Sequence, residues 1–183
     1  MNIRDAIYGR RSIRKYLPIK VSNDELLKII EAGTWAPSAC NIQGWHFIII
    51  DDKSKFETLL KNGAASFLKQ VNQAILVLYD NQTDNTMYQD YIQSAAACIE
   101  NMCLMAYSMG IGTCWVNFLP SKSKVRKIFN IPPELEPIGL VTLGYYSQKV
   151  NNRPRKHDIQ SLISKNTFSS TVPVFKRKSK LKL

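Results

Sequence analysis

Three arginines and a serine fall within five residues near the start of the chain, in the sequence RRSIR at residues 10–14, which we call the arginine segment. Guanidinium groups bind phosphate oxygens two at a time, and the Ser12 hydroxyl can add a further donor. A second basic cluster, which contains Arg153 and Arg155, follows the last predicted strand. A single run of basic residues is more often a solvated turn. Two such clusters that converge in the fold would instead form a phosphate-binding site.

A second chemical feature is a loop of small and amide side chains at residues 37–43 (PSACNIQ), which we call the amide loop. Ser38, Asn41 and Gln43 offer uncharged donors and acceptors, which suit the edge of a flat heteroaromatic ring with imide groups. Taken alone, such a loop is more often an ordinary polar turn. The two histidines and four cysteines lack zinc-ligand spacing, and the sequence contains no Walker A or Gly-x-Ser-x-Gly motif. The residue pattern therefore favours ligand binding over metal or triad hydrolysis.

The apolar pattern predicts the elements that must position these residues. Asn2 can cap a first helix that runs to about Tyr8, directly before the arginine segment. Ser22 and Glu25 form the capping box of a second helix, which extends to about Ala32. A third helix, capped by Asp52 or Ser54, is predicted up to residue 60, and two more are predicted at 87–109, ended by Gly110, and at 121–129. Strands are predicted at 45–50, 74–79, 113–118 and 138–144. The interleaving of helices and strands indicates a helix-heavy fold of mixed α and β class.

The longest predicted helix, at 87–109, is apolar on nearly every face from Ala95 to Ala106. A helix with that pattern is buried all round. In a chain of 183 residues, we expect a second subunit to supply part of this cover.

The chain has 183 residues and a net charge of +11, which suits one basic domain that attracts anions. Five of the positive charges lie in residues 176–183. Because this tail has Phe175 as its one nearby aromatic and no stacking surface, a solubilising or subunit-wrapping arm is favoured over nucleic-acid binding. The sequence has no apolar run of about 18 residues and no apolar signal core. We expect a cytoplasmic protein with reduced thiols and no membrane span.

The order of these features resembles the flavin-dependent nitroreductase family. The arginine segment follows a short first helix, and the amide loop with Trp45 follows a capped second helix. Asp90 heads an alanine-rich helix that leads into the sequence GIGTCW at residues 110–115, and Gly144-Tyr145 and the second arginine pair come later. The resemblance covers residues 1 to about 160.

The resemblance implies an α+β fold, with a central mixed or antiparallel sheet of four to five strands flanked by helices. It implies an FMN-binding domain at residues 1–166 and a basic C-terminal arm at 167–183, in a homodimer with exchanged arms. The implied activity passes hydride from NAD(P)H through flavin N5 to a nitroaromatic, quinone or similar small-molecule acceptor. A specialised flavin enzyme of the same fold (a dehydrogenase, a dehalogenase or a flavin-modifying enzyme) is one alternative. A basic nucleic-acid-binding module is an alternative of another class.

The resemblance also implies which residues contact FMN. Contacts with the phosphate, the ribityl chain and the ring edge are implied for Arg10, Arg11, Ser12 and Arg14, and completion of the phosphate clamp for Arg153 and Arg155. Contacts with the FMN bound mainly by the other subunit are implied for Pro37, Ser38, Ala39, Asn41 and Gln43. The isoalloxazine ring would be lined by Trp115, Val116, Asn117 and Phe118, with the Asn117 backbone N–H near flavin N5. The resemblance implies no catalytic side chain and no metal, because the flavin carries the chemistry.

The sequence departs from the family pattern at three places. Gly44 stands where proline is common, and Ala39 stands where a second serine is common. Residues 61–73 match no pattern of the family, so one side of the implied pocket has no assigned residues.

Overall fold

Four strands form one antiparallel sheet in the order β1-β2-β4-β3 in the computed structural model, which describes residues 1–81, 85, 87–148, 150 and 154–168. The strands are β1 (Trp45–Ile50), β2 (Gln73–Asp80), β3 (Gly112–Val116) and β4 (Leu135–Gly144). Strands β1 and β3 are the edges. The four predicted strands are confirmed, and their sheet is antiparallel throughout the described residues.

Four of the five α-helices in the described residues pack on the two faces of this sheet, and the first helix packs against the fourth. The five helices are α1 (Ile3–Gly9), α2 (Asn23–Thr34), α3 (Lys53–Lys61), α4 (Asp90–Ser108) and α5 (Lys122–Phe129). Successive side chains of a strand point to opposite faces. Accordingly, Ile75 and Val77 enter a core cluster shared with α2 and α4, whereas Leu76 and Leu78 enter a second cluster shared with α3 and α5. The predicted α+β class is therefore confirmed.

The predicted helix starts depend on side-chain caps that the structure contains. Asn2 accepts from a backbone N–H of α1, and Ser22 and Glu25 make both hydrogen bonds of the capping box. Asp52, of the two candidates, caps α3. Helix α4 begins at Asp90, later than predicted, because Gln89 adopts a left-handed backbone conformation with φ 48°.

Helix α4 is buried on one side and half-buried on the other. Ile99, Met102 and Ala106 are fully buried, whereas Leu104 is half-buried and the Met105 side chain is exposed. The single chain therefore covers only part of this helix, and its burial all round stays a prediction. Cover of the remaining surface by a second subunit stays a prediction.

Residues 1–149 and 150–183 form two separate compact units. The sheet and the five helices all lie in the first unit. The described part of the second unit contains a 3-10 helix at Ile159–Leu162. The predicted boundary between a domain at 1–166 and an arm at 167–183 stays a prediction, since most of that arm lies outside the described residues. None of the helices in the described ranges has the length and hydropathy that a membrane span requires.

Candidate functional site

The arginine segment lies along the free edge of β3. The Ile13 backbone N–H donates to the Thr113 carbonyl at 2.8 Å, and Ser12 pairs with Thr113 in a parallel bridge. Ile13 points into the protein and is buried, while Ser12 and Arg14 are exposed. The segment therefore continues the sheet beyond its edge strand and presents alternate side chains outward. The sequence predicted a turn here, without this pairing.

Two glycines allow the chain to pass this close to the sheet. Gly112 and Gly144 are opposite each other in β3 and β4. A Cβ atom on Gly112 would lie 2.8 Å from Ile13 Cγ1, and one on Gly144 would lie 3.0 Å from Tyr16 Cδ1. Both distances are shorter than ordinary van der Waals contacts. A larger residue at either glycine would therefore displace the chain that carries the arginines.

A buried tyrosine holds the end of the arginine segment. The Tyr16 hydroxyl donates to the Ile13 carbonyl at 2.6 Å and lies 2.8 Å from Thr142 Oγ1. The Thr142 hydroxyl also lies 3.3 Å from the Cys114 carbonyl of β3. Burial raises the pKa of Tyr16 well above its ordinary value, so the hydroxyl keeps its proton. These contacts connect the backbone around Arg14 to β3 and β4.

A cleft of about 390 Å³, which we call the β3 cleft, opens beside Arg14. It is lined by Arg14, Ala65, Ser66, Phe67 and residues 114–118. Arg14 is thus brought together with the predicted ring-lining residues Trp115, Val116, Asn117 and Phe118. The side that the sequence left unassigned is supplied by Ala65 and by the first two residues of the 3-10 helix Ser66–Gln70. The Ala65 backbone N–H donates to the Phe118 carbonyl at 3.0 Å and so joins the two sides.

The other two arginines are held by the neighbouring helices. Arg10 Nε lies 3.2 Å from Glu100 Oε1 of α4. The geometry of this ion pair is not that of a hydrogen bond, and the buried Nε has no hydrogen-bond partner within the described ranges. Arg11 Nη1 donates to the Tyr8 and Arg10 carbonyls, both at 2.7 Å. Arg10 Nε is therefore a buried donor that lies beside a carboxylate without a hydrogen bond to it.

Cys114 lies on the floor of the β3 cleft. Burial raises the pKa of its thiol, while the charge of Arg14 and a hydrogen bond with Ser12 oppose this shift. A thiol with a raised pKa stays neutral and is a poor nucleophile near neutral pH. Cys114 therefore serves as a lining group of the cleft.

Trp115 places a second unpartnered donor near the cleft. Its indole Nε1 is buried and has no hydrogen-bond partner among the residues that the structure describes. A Cβ atom on Gly139 of β4 would lie 2.5 Å from this nitrogen and 3.2 Å from Asn117 Oδ1. Gly139 therefore makes the space in which the indole and the Asn117 side chain lie.

The amide loop is built by its own polar side chains. The Gln43 backbone N–H donates to Ser38 Oγ at 3.0 Å, and Gln43 Nε2 donates to Asn41 Oδ1 at 3.0 Å. The Ala39 N–H donates to Ser94 Oγ of α4 at 3.1 Å, and Pro37 is exposed. Three non-glycine residues of the loop have positive φ, namely Cys40 (49°), Asn41 (56°) and Gln43 (53°). Such conformations are costly and cluster at functional sites. The described lining of the β3 cleft does not include the loop, so its contact with a ligand across a subunit interface stays a prediction.

The second basic cluster, at Arg153 and Arg155, follows the first compact unit along the chain. Arg155 lies in the second compact unit, and Arg153 lies outside the described residues. The phosphate clamp between the two clusters stays a prediction.

The described residues of the site fit an anionic ligand that carries a flat ring. Guanidinium groups supply positive charge, and the buried indole Nε1 of Trp115 has no hydrogen-bond partner within the described ranges. No group of three or more His, Cys, Asp or Glu side chains within the described ranges could hold a metal ion. Sequence reasoning missed Tyr16, Phe67 and Gly139. The glycines of β3 and β4 are a signal of close packing that the sequence contains.

Comparisons with known proteins agree with this geometry. The chain matches the model of the nitroreductase family over residues 7–73 and 54–145. An Archaeoglobus fulgidus protein, provisionally named an NADH dehydrogenase/NAD(P)H nitroreductase, is 34% identical over 147 residues, which cover 76% of this chain and 82% of the relative. A crystal structure from Parabacteroides distasonis with the same provisional name has a TM-score of 0.80 and 30% identity, and the match covers 91% of this chain and 98% of that one. A provisionally named nitroreductase from Desulfovibrio desulfuricans, solved in complex with FMN, has a TM-score of 0.77 and 26% identity, with 92% and 99% of the chains covered.

Proposed function

Because the chain belongs to the nitroreductase family, we propose that it is an FMN-dependent oxidoreductase that passes hydride from NAD(P)H to a nitroaromatic, quinone or similar small acceptor. The observation that carries this proposal is the placement of Arg14 and residues 115–118 along one cleft. The FMN complex of a structural relative supports the cofactor, and the name of the Archaeoglobus relative supports the electron donor.

The arginine segment supplies the groups that would hold FMN. Arg10 and Arg11 match phosphate oxygens in charge and geometry, and the Ser12 hydroxyl is exposed beside them. Arg14 lies at the β3 cleft and would face the ring edge. Arg153 and Arg155 are proposed to complete the phosphate contacts.

When bound, FMN would supply a ring N5 that accepts hydride from NAD(P)H and donates it to the acceptor. The chain itself binds and orients the ring and stabilises the negative charge that reduction leaves on it. Arg14 supplies positive charge for this purpose, and the backbone N–H of Asn117, just beyond the end of β3, is proposed to donate to N5. The neutral Cys114 thiol takes no part in the chemistry.

We propose further that the protein acts as a homodimer with FMN at the subunit interface. Large apolar side chains are exposed on α1 and near the end of α2, including Ile3 at 68%, Tyr8 at 67% and Trp35 at 81%. A second subunit that covers these side chains would remove their apolar surface from water, which favours association. In such a dimer, the amide loop of one subunit would reach the FMN of its partner, and the C-terminal arms would be exchanged.

The absorbance spectrum of the purified protein tests the proposal. We expect flavin bands, or their appearance with a rise in melting temperature after FMN is added, because a ligand that binds only the folded state stabilises it. Protein that gains neither absorbance nor thermal stability with FMN would refute the proposal. Arg14→Ala should weaken FMN retention, whereas Lys124→Ala, which removes an exposed positive charge from α5, should not.

Turnover distinguishes the general reductase from a specialised enzyme of the same fold. Steady oxidation of NAD(P)H with a simple quinone supports the reductase. A protein that binds FMN but does not turn over quinones or nitroaromatics would instead be a specialised flavin enzyme, such as a dehydrogenase or a dehalogenase.

A further inference from the structure

We propose that Phe67 is a positioning residue that holds the guanidinium group of Arg14 at the β3 cleft. The inference rests on the proposed function, since it treats this cleft as the FMN site. Phe67 belongs to residues 61–73, for which the sequence suggested no role.

The first observation is the contact between Arg14 and Phe67. Arg14 Cζ lies over the Phe67 ring, 5.8 Å from its centroid. A guanidinium within about 6 Å of a ring centroid is attracted by the negative face of the ring. Within the described ranges Arg14 makes no ion pair with a carboxylate. The aromatic face therefore orients the cation without neutralising its charge, which stays available to an anionic ligand.

The second observation is that both partners stand on fixed backbone. On one side, Ile13 pairs with Thr113 of β3 and Tyr16 is held by its buried hydroxyl. On the other side, Leu68 is fully buried and its N–H donates to the Ala65 carbonyl at 3.0 Å. Phe67 lies between Ala65 and Leu68 in the sequence, and its side chain is half-buried against the second core cluster.

The third observation is that both side chains line the same cleft. Arg14 and Phe67 are both among its lining residues, together with residues 114–118. A free arginine side chain samples many rotamers, and ordering it on binding costs conformational entropy. The ring of Phe67 reduces that cost by restricting Arg14 before the ligand arrives, which is preorganisation.

The strength of the contact between Arg14 and Phe67 sets the expected effect on FMN binding. Leucine at position 67 keeps an apolar side chain but has no aromatic face, whereas tyrosine keeps both. Arg14 is exposed, and from the usual strength of a cation–π contact at an exposed site Phe67→Leu should raise the FMN dissociation constant by about twofold to fivefold. Phe67→Tyr should restore the value of the unaltered protein.

The experiment is a double-mutant cycle on the full chain, read by titration with FMN. The variants are Phe67→Leu, Arg14→Gln and the pair, with Phe67→Tyr as the rescue variant. Phe129→Leu is a matched control, because Lys55 Nζ lies at the same 5.8 Å over the Phe129 ring, outside the lining of the β3 cleft. We expect the effect of Phe67→Leu to vanish when Arg14 is replaced, and Phe129→Leu to leave FMN affinity unchanged.

The midpoint potential of the bound flavin gives a second measurement. Positive charge near the ring favours its reduced form, so Phe67→Leu should lower the potential, and Phe67→Tyr should not. If Phe67→Leu weakens FMN binding equally with and without Arg14, or leaves both affinity and potential unchanged, Phe67 is only a packing residue and the inference is wrong. If the unaltered protein binds no FMN, the proposed function fails and the inference fails with it.

Discussion

Tyr16→Phe should destabilise the protein, because its hydroxyl joins the arginine segment to the sheet. The substitution removes a donor 2.6 Å from the Ile13 carbonyl and an oxygen 2.8 Å from Thr142 Oγ1, and it leaves the ring in place. An ordinary intramolecular hydrogen bond contributes about 1 kcal/mol net, and a buried group left unpaired costs about 1–3 kcal/mol. Thr142 still has the Cys114 carbonyl as a neighbour at 3.3 Å, so the Ile13 carbonyl carries most of the loss. We expect the free energy of unfolding to fall by about 2 kcal/mol.

The assay is urea unfolding of the two proteins at neutral pH. A lower midpoint with an unchanged slope shows a change of stability alone. Tyr145→Phe is the matched control, since its hydroxyl donates to Glu25 Oε1 at 2.8 Å near the surface. Both residues are half-buried, and we expect a loss of about 1 kcal/mol or less, which is what an ordinary hydrogen bond contributes.

The pH dependence gives an independent check on the same hydroxyl. Burial raises the pKa of Tyr16 above the ordinary value of 10.0. For a group whose folded pKa is raised, its contribution to stability is complete below the unfolded pKa and is lost as pH rises through the folded pKa. The difference in stability between the unaltered protein and Tyr16→Phe should therefore be constant up to about pH 10 and should shrink only above that pH. A loss no larger than that of Tyr145→Phe would refute the buried role of this hydroxyl.

Three further predictions concern packing, capping and charge. Gly112→Ala should cost about 1–3 kcal/mol by overpacking against Ile13 and should also weaken FMN binding, as urea unfolding and FMN titration would show. Ser22→Ala should lower the free energy of unfolding by about 1 kcal/mol through loss of the capping box. Ser121→Ala should change it little, because that side chain caps no backbone N–H. Equal losses for the two variants in urea unfolding would contradict this prediction. Burial alone would raise the pKa of Glu136, but hydrogen bonds from two basic side chains outweigh it and lower the pKa below 4.5. The stability advantage over Glu136→Gln should therefore be complete above about pH 4.5 and shrink as the pH falls below it; an advantage that persists in acid would contradict the shift.

Local signals in the sequence were sufficient for most of the secondary structure. The capping box of Ser22 and Glu25 and the cap at Asn2 act within four residues, so their hydrogen bonds depend little on the rest of the fold. The apolar run of β2 likewise predicts a strand buried on both faces. The start of α4 was misplaced because the left-handed conformation of Gln89 has no such local signal. Cover of the half-buried side of α4 by a second subunit stays a prediction, because an apolar pattern does not show which neighbours cover it.

The resemblance to a known family supplied the candidate site residues, and the structure decided which of them meet. Arg14 and residues 115–118 are about 100 positions apart in the sequence, yet they share one cleft. They meet because the arginine segment pairs with the edge of β3, and because Gly112 and Gly144 leave room for it. No local pattern encodes that pairing.

The sequence by itself determined the chemical types of the site: guanidinium groups at residues 10–14, an amide loop at 37–43 and an aromatic strand end at 115–118. These follow from residue identity and short spacing, which are properties of the chain alone. Only the tertiary structure decided that Phe67 faces Arg14, that the Tyr16 hydroxyl holds the end of the arginine segment, and that Arg10 lies beside Glu100. The physical reason is that each of these depends on a contact between segments distant in sequence, and such contacts form only when the helices and the sheet pack together.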